Sequence, residues 1–132
     1  MVRILLIDDD RDLAHLTKMA LVKSGYDVLT FYEAKTAGEE ARRQKPDLIL
    51  MDVMLPGMDG AEAVRELRKD NNLRNIPVLF LSALVSSREK NSIDAAINVD
   101  GTQYKILGKP FEIEELLESI RNMSSSIVRS GE

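Results

Sequence analysis

The strongest constraint on this chain is a set of apolar runs that are continuous rather than alternating. Ile4 to Ile7, Leu48 to Met51 and Val78 to Leu81 are uninterrupted, and a weaker run covers Ile106 and Leu107. A strand with one face in water alternates apolar and polar residues. A run without alternation fits a strand buried on both faces, as in a parallel sheet covered by helices on either side. A fifth candidate, Asp27 to Tyr32, is more mixed but rich in β-branched and aromatic residues.

Helical patterns fill the intervals. The segment from Asp12 to Ser24 carries Leu13, Leu16, Ala20 and Leu21 and stops at Gly25, a helix terminator. Ala34, Ala37 and Ala41 stand at helical spacing before Pro46, and Ala61, Val64 and Leu67 follow the turn-forming stretch Pro56 to Gly60. The spacing of Ile93, Ala96 and Ile97 predicts a further helix over Ser87 to Ile97. The last helix has Ile113, Leu116, Leu117 and Ile120 on one face, with Glu112, Glu114 and Glu115 in its first turn, where carboxylates complement the helix dipole. The order is β-α repeated five times, which implies an α/β fold with a doubly wound parallel sheet and helices on both faces.

The length of 132 residues suits one domain. Residues 1–123 are expected to form it, and 124–132, from Ser124-Ser125-Ser126 onward, to be a flexible tail or the start of a linker. A formal charge of −4 leaves no electrostatic footprint for direct nucleic-acid binding. The absence of cysteine excludes disulfides, zinc–thiolate sites and cysteine nucleophiles, and suits a reducing cytoplasm. No apolar run approaches membrane-spanning length, and the N-terminal one is too short for a signal peptide.

Ligands of open α/β sheets bind beyond the carboxyl ends of the strands. The residues that follow the apolar runs are Asp8, Asp9 and Asp10; Asp52; Ser82; and Lys109 with Pro110. Two carboxylates about 4 Å apart repel by roughly 4 kcal/mol at an effective dielectric of 20. A cluster of three therefore needs Lys109, a raised carboxyl pKa or a cation to neutralise it. With oxygen ligands alone the cation is hard, and Mg²⁺ is the natural choice. A carboxylate beside Mg²⁺ is a competent nucleophile toward phosphorus. Asp10 is expected to cap the first helix, and His15, the only histidine, to be a solvated helix residue.

Four segments together resemble response-regulator receiver domains, in family order and over nearly the whole chain. They are Arg3-Ile4-Leu5-Leu6-Ile7-Asp8-Asp9-Asp10, Asp52-Val53-Met54-Leu55-Pro56-Gly57-Met58-Asp59-Gly60, Ser82-Ala83 and Lys109-Pro110-Phe111. The resemblance implies a flavodoxin-like five-stranded sheet in the order 2-1-3-4-5. It implies that Asp52 accepts a phosphoryl group from a sensor histidine kinase or a histidine phosphotransfer protein, and that Asp8, Asp9, Asp52 and the Met54 backbone carbonyl hold Mg²⁺. Ser82 and Lys109 would contact phosphoryl oxygens, and the Lys109–Pro110 bond would be cis. The output would be a changed surface read by a downstream protein or by the chain's own effector domain, in a cytoplasmic monomer or phosphorylation-dependent dimer. Such a protein catalyses its own phosphotransfer and autodephosphorylation and does not turn over an external substrate.

Two features depart from the family pattern. The stretch from Ser82 to Lys109 is long, with extra residues around Asn91 to Thr102. The position three before the lysine, where many receivers carry a switching aromatic, is Ile106, and Tyr104 lies two residues earlier. An irregular fourth-helix region is therefore expected. Two other functions compete. A haloacid-dehalogenase-like hydrolase would need an aspartate two positions after the nucleophile, where this chain has Met54. A degenerate receiver acting only as an interaction scaffold would not need Asp8, Asp9, Asp52, Ser82 and Lys109 together.

Overall fold

The structure, a computed structural model, describes residues 1–53, 60–82, 96–109 and 111–130. Its elements are β1 (Arg3–Ile7), α1 (Arg11–Lys23), β2 (Asp27–Phe31), a 3-10 turn (Ala34–Thr36), α2 (Ala37–Gln44), β3 (Leu48–Asp52), α3 (Gly60–Lys69), β4 (Val78–Ser82), β5 (Ala96–Val99), β6 (Thr102–Gly108) and α4 (Ile113–Ser130). They form one sheet in the order β2-β1-β3-β4-β6-β5.

Each continuous run supplies two cores at once. On one face Leu5, Ile7, Ile49, Met51, Val78 and Phe80 pack with Ala37 and Ala41 of α2 and with Ala63, Val64 and Leu67 of α3. On the other Ile4, Leu6, Leu48, Leu50, Leu79 and Leu81 pack with Ala14 and Leu21 of α1 and with Leu116, Leu117 and Ile120 of α4. Successive strand residues point to opposite faces, so a strand covered on both sides has no place for a polar residue.

The first four strands follow the expected order and are parallel, and the run at Ile106 and Leu107 belongs to β6, parallel to β4. The expectation of five strands is corrected by one more, β5, which lies antiparallel along the outer edge of β6. The helix expected over Ser87 to Ile97 is corrected at its end. Residues 83–95 lie outside the described residues, and Ala96 and Ile97 are in β5. The cause is the Asp100-Gly101 dipeptide, with φ of 52° and 92°. Two successive positive φ values make the tight hairpin turn whose twist matches paired strands. Pairing Val99 with Thr102 then forces period-two burial: Ile97 and Val99 join the α3-side core, and Asn98 between them is exposed. Asn98 Oδ1 also accepts the Gly101 N–H at 3.0 Å. Among the described residues there are four α-helices, and α4 stays helical through Ser130. No helix among them is long and apolar enough to cross a membrane.

Candidate functional site

The strand register brings the site together. Ile7 pairs with Met51, Asp52 with Leu81, and Ser82 with Gly108. Asp8, Asp52, Ser82 and Lys109 therefore end four neighbouring parallel strands at one edge of the sheet. The first three are nearly closed to solvent, at 1%, 8% and 2% exposure. Backbone bonds fix the edge: the Val53 N–H donates to the Leu81 carbonyl at 3.0 Å, and the Lys109 N–H to the Ser82 carbonyl at 2.8 Å.

Lys109 reaches back across the edge. Its Nζ donates to Asp8 Oδ2 at 2.8 Å and to Asp52 Oδ2 at 2.7 Å. Asp8 is held at its other oxygen too, because Oδ1 accepts the Asp10 N–H at 3.0 Å. Asp10 caps α1, accepting the Leu13 N–H at 3.0 Å, and faces solvent. Burial alone would pull the Lys109 ammonium down. The hydrogen bonds to Asp52 and Asp8 and their charges outweigh it, so its pKa stands above the ordinary lysine value.

Asp9 behaves differently from Asp8. It is exposed, yet carboxylate oxygens of Asp8, Asp9 and Asp52 lie within 4.8 Å of one another. The acidic residues read as a pair are thus a buried member, bonded to the lysine, and a solvent-facing one. An all-oxygen set of this size fits a hard divalent cation. Among the described residues three carboxylates face one ammonium, so charge remains for a cation to neutralise.

Gly60 is the first residue of α3. Its N–H donates to the Val53 carbonyl at 2.8 Å. A Cβ there would lie 2.6 Å from Phe80 Cε1 and 3.2 Å from the Val53 Cα, so only glycine lets α3 start so close to β4. Met54 and Pro110 lie outside the described residues. Ile106 is partly buried opposite Phe80.

Sequence reasoning missed the surroundings of Tyr104. Its ring meets Phe80 edge-on at 5.9 Å between centroids. Its hydroxyl accepts Arg68 Nε at 2.8 Å, and the Arg68 guanidinium stands 5.4 Å from the ring centre. Period-two spacing from Ile106 puts Tyr104 on the α3 side of the sheet, but the choice of Arg68 as its partner left no mark in the sequence.

Residues 4–121 match the family described as the response regulator receiver domain. The chain belongs to that family. It is 37% identical over 121 residues to the DNA-binding dual master transcriptional regulator RpaA of Synechocystis sp., covering 92% of this chain and 48% of that protein. This receiver spans about half the length of the curated relatives it matches. Among solved structures it is similar to the Francisella response regulator 1452 receiver domain, with TM-score 0.77 and 30% identity over 98% of this chain and 99% of the other. It is also similar to the receiver domain of the sensor histidine kinase PA1611 of Pseudomonas aeruginosa PAO1, with TM-score 0.73 and 32% identity over 96% and 97% of the two chains. That structure holds a magnesium ion coordinated in its active-site cleft.

Proposed function

We propose that this receiver is a phosphorylation-controlled switch in which Asp52 accepts a phosphoryl group in the presence of Mg²⁺. The observation that carries the reading is the bridge from Lys109 to both Asp8 and Asp52 at 2.8 and 2.7 Å within a three-carboxylate edge. An Asp52 carboxylate oxygen attacks phosphorus, the bond from phosphorus to the donor's nitrogen or oxygen breaks, and the leaving group keeps the electron pair. Asp8, Asp9, Asp52 and the Met54 carbonyl would hold the ion, which when bound neutralises the carboxylates and the charge on the phosphoryl oxygens. Lys109 Nζ follows the charge from the carboxylate to a phosphoryl oxygen, where a charge-assisted bond is stronger than a neutral one. Ser82 donates its hydroxyl to another oxygen and reports that phosphate has arrived.

Incubation with acetyl phosphate and Mg²⁺ should add one hydroxylamine-labile phosphate. Asp52→Asn should lower the rate at least about 10³-fold, the scale of removing a nucleophile. EDTA should suppress labelling of the wild type. Wild-type labelling of Asp52→Asn would sink the proposal, and no labelling of either protein would leave a scaffold as the better account.

Asp9 gives a separate test of the metal. Because it is exposed and Lys109 bonds to the other two carboxylates, Asp9→Asn should change metal-free stability by less than about 1 kcal/mol. A ligand held only by the folded state stabilises by mass action. Excess Mg²⁺ should therefore raise the melting temperature of the wild type, and raise that of Asp9→Asn less. Equal responses would remove Asp9 from the metal site.

The phosphoryl donor is a sensor histidine kinase or a histidine phosphotransfer protein, met in the cytoplasm. A docking surface for it is available on α1. Leu16, Met19 and Val22 are exposed together on a helix that begins two residues after Asp9. Met19→Glu, combined with Leu16→Glu, should slow transfer from a phosphohistidine protein at least about tenfold, since central apolar contacts dominate interfaces. It should leave labelling by acetyl phosphate unchanged. Equal slowing with both donors would place the effect in the fold. Residues 1–123 are the switch unit, with output to a downstream protein or a linked effector domain, as a monomer or a phosphorylation-dependent dimer. Its chemistry is confined to its own phosphorylation and autodephosphorylation.

A further inference from the structure

A second charged concavity lies away from the acidic edge. It occupies about 550 Å³ between α3, the segment leading into β4, and the β5–β6 hairpin. Arg65, Arg68, Arg74, Asp100, Thr102 and Tyr104 line it. Tyr104 is five residues before Lys109 on β6, so the two sites stand roughly 16 Å apart along the strand.

The lining is rich in donors and poor in acceptors. Three guanidiniums have no acceptor capacity, and the one carboxylate among the described lining residues, Asp100, engages Arg65 only loosely, at 3.4 Å on an exposed surface. Arg68 is fixed in place. Its Nε donates to Tyr104 Oη, and its Nη1 to the carbonyls of Leu73 at 3.2 Å and Ile76 at 3.0 Å. Its Nη2 has no hydrogen-bond partner among the described residues. Arg74 is exposed and makes no ion pair among them. The Tyr104 hydroxyl accepts from Arg68 and keeps its own proton to give. The guanidiniums of Arg65 and Arg74 and the Nη2 of Arg68 around one cavity, on a chain of net charge −4, are a local inversion of sign. Guanidinium forks match the oxygens of phosphate in pairs, and the volume is that of a small-molecule site. Tyr104 is buried against Phe80, so its ring offers no open face to a base.

We propose that this cleft binds a small anion of the phosphate class, held through its phosphate oxygens by Arg65, Arg68 and Arg74. The site shares no residue with the acidic edge that holds Asp52.

The test is NMR titration of the full chain, stripped of divalent metals on a chelating resin, at constant ionic strength. Inorganic phosphate, pyrophosphate and adenosine monophosphate are added separately. Saturable shifts are expected at the amides of Val99, Thr102 and Tyr104, with pyrophosphate tightest. Arg65→Ala and Arg74→Ala should each weaken pyrophosphate about tenfold, as expected for loss of a charge-assisted bond. Arg74→Lys keeps the charge but loses the fork and should weaken it about threefold. Equal response to phosphate and the nucleotide identifies the phosphate group as the ligand, and response to the nucleotide alone identifies an organic ester. Shifts without saturation, or unchanged affinity in both alanine variants, would overturn the proposal. So would loss of binding in Asp52→Asn, which would put the anion at the acidic edge. Saturation by a glutamate-rich peptide with no response to the three phosphates would assign the cleft to a polypeptide and also overturn it.

Discussion

Lys109→Met is expected to destabilise the metal-free protein by about 3–5 kcal/mol, the cost of removing one partner from a buried ion pair. Asp8 and Asp52 are 1% and 8% exposed, and the Lys109 ammonium sits 2.8 and 2.7 Å from them. Methionine keeps the stem's bulk, so the loss isolates the charge. For a domain of this size the melting temperature in EDTA should fall by about 10–20 °C, and Mg²⁺ should restore part of it. The same bond carries a pH signature. The folded-state pKa of Lys109 is raised, so its contribution is complete below the unfolded value of about 10.4. That contribution is lost as pH rises through the higher folded value. The gap between wild type and Lys109→Met should hold from neutrality to about pH 10 and narrow above it. An unchanged melting temperature at pH 7 would mean that Lys109 does not neutralise the acidic edge.

Phosphotransfer should separate Lys109 from Ser82. If the lysine stabilises charge on the transferring group, Lys109→Ala should slow labelling by acetyl phosphate about 10²–10³-fold, the range for losing one preorganised donor. Ser82→Ala removes a neutral hydrogen bond worth about 1 kcal/mol, or roughly fivefold. Its larger effect should fall on the response to phosphorylation. Single-turnover labelling at saturating Mg²⁺, below the melting temperature of each variant, checks the order. A slower Ser82→Ala than Lys109→Ala would reverse the assigned roles.

What the sequence disclosed follows from burial. β1, β3 and β4 were legible because helices cover both of their faces, which leaves only apolar residues in Ile4–Ile7, Leu48–Met51 and Val78–Leu81. The rule that chemistry gathers at the carboxyl ends of such strands then selected Asp8, Asp52, Ser82 and Lys109. β6 was half legible, since Gln103 and Lys105 on its outer half are exposed and break the apolar run. β5 carries two competing signals: Ile93, Ala96 and Ile97 fit a helical spacing, whereas Asp100-Gly101 is a strong local hairpin signal, and the hairpin wins. The division of labour between Asp8 and Asp9 had no sequence signal. It depends on where a lysine 101 residues after Asp8 in the chain puts its ammonium. The arginine cleft was hidden in the same way, because Arg68 and Tyr104 meet across 36 residues.

The central claim is that Asp52 carries the phosphoryl group. Borohydride reduction of an aspartyl phosphate leaves homoserine in place of aspartate, so the acceptor can be read as a residue identity. After acetyl phosphate and Mg²⁺, reductive trapping and peptide mass analysis should find homoserine at position 52 and at no other aspartate. Homoserine at position 8 or 9, or none anywhere in a protein that has taken up phosphate, would contradict the account.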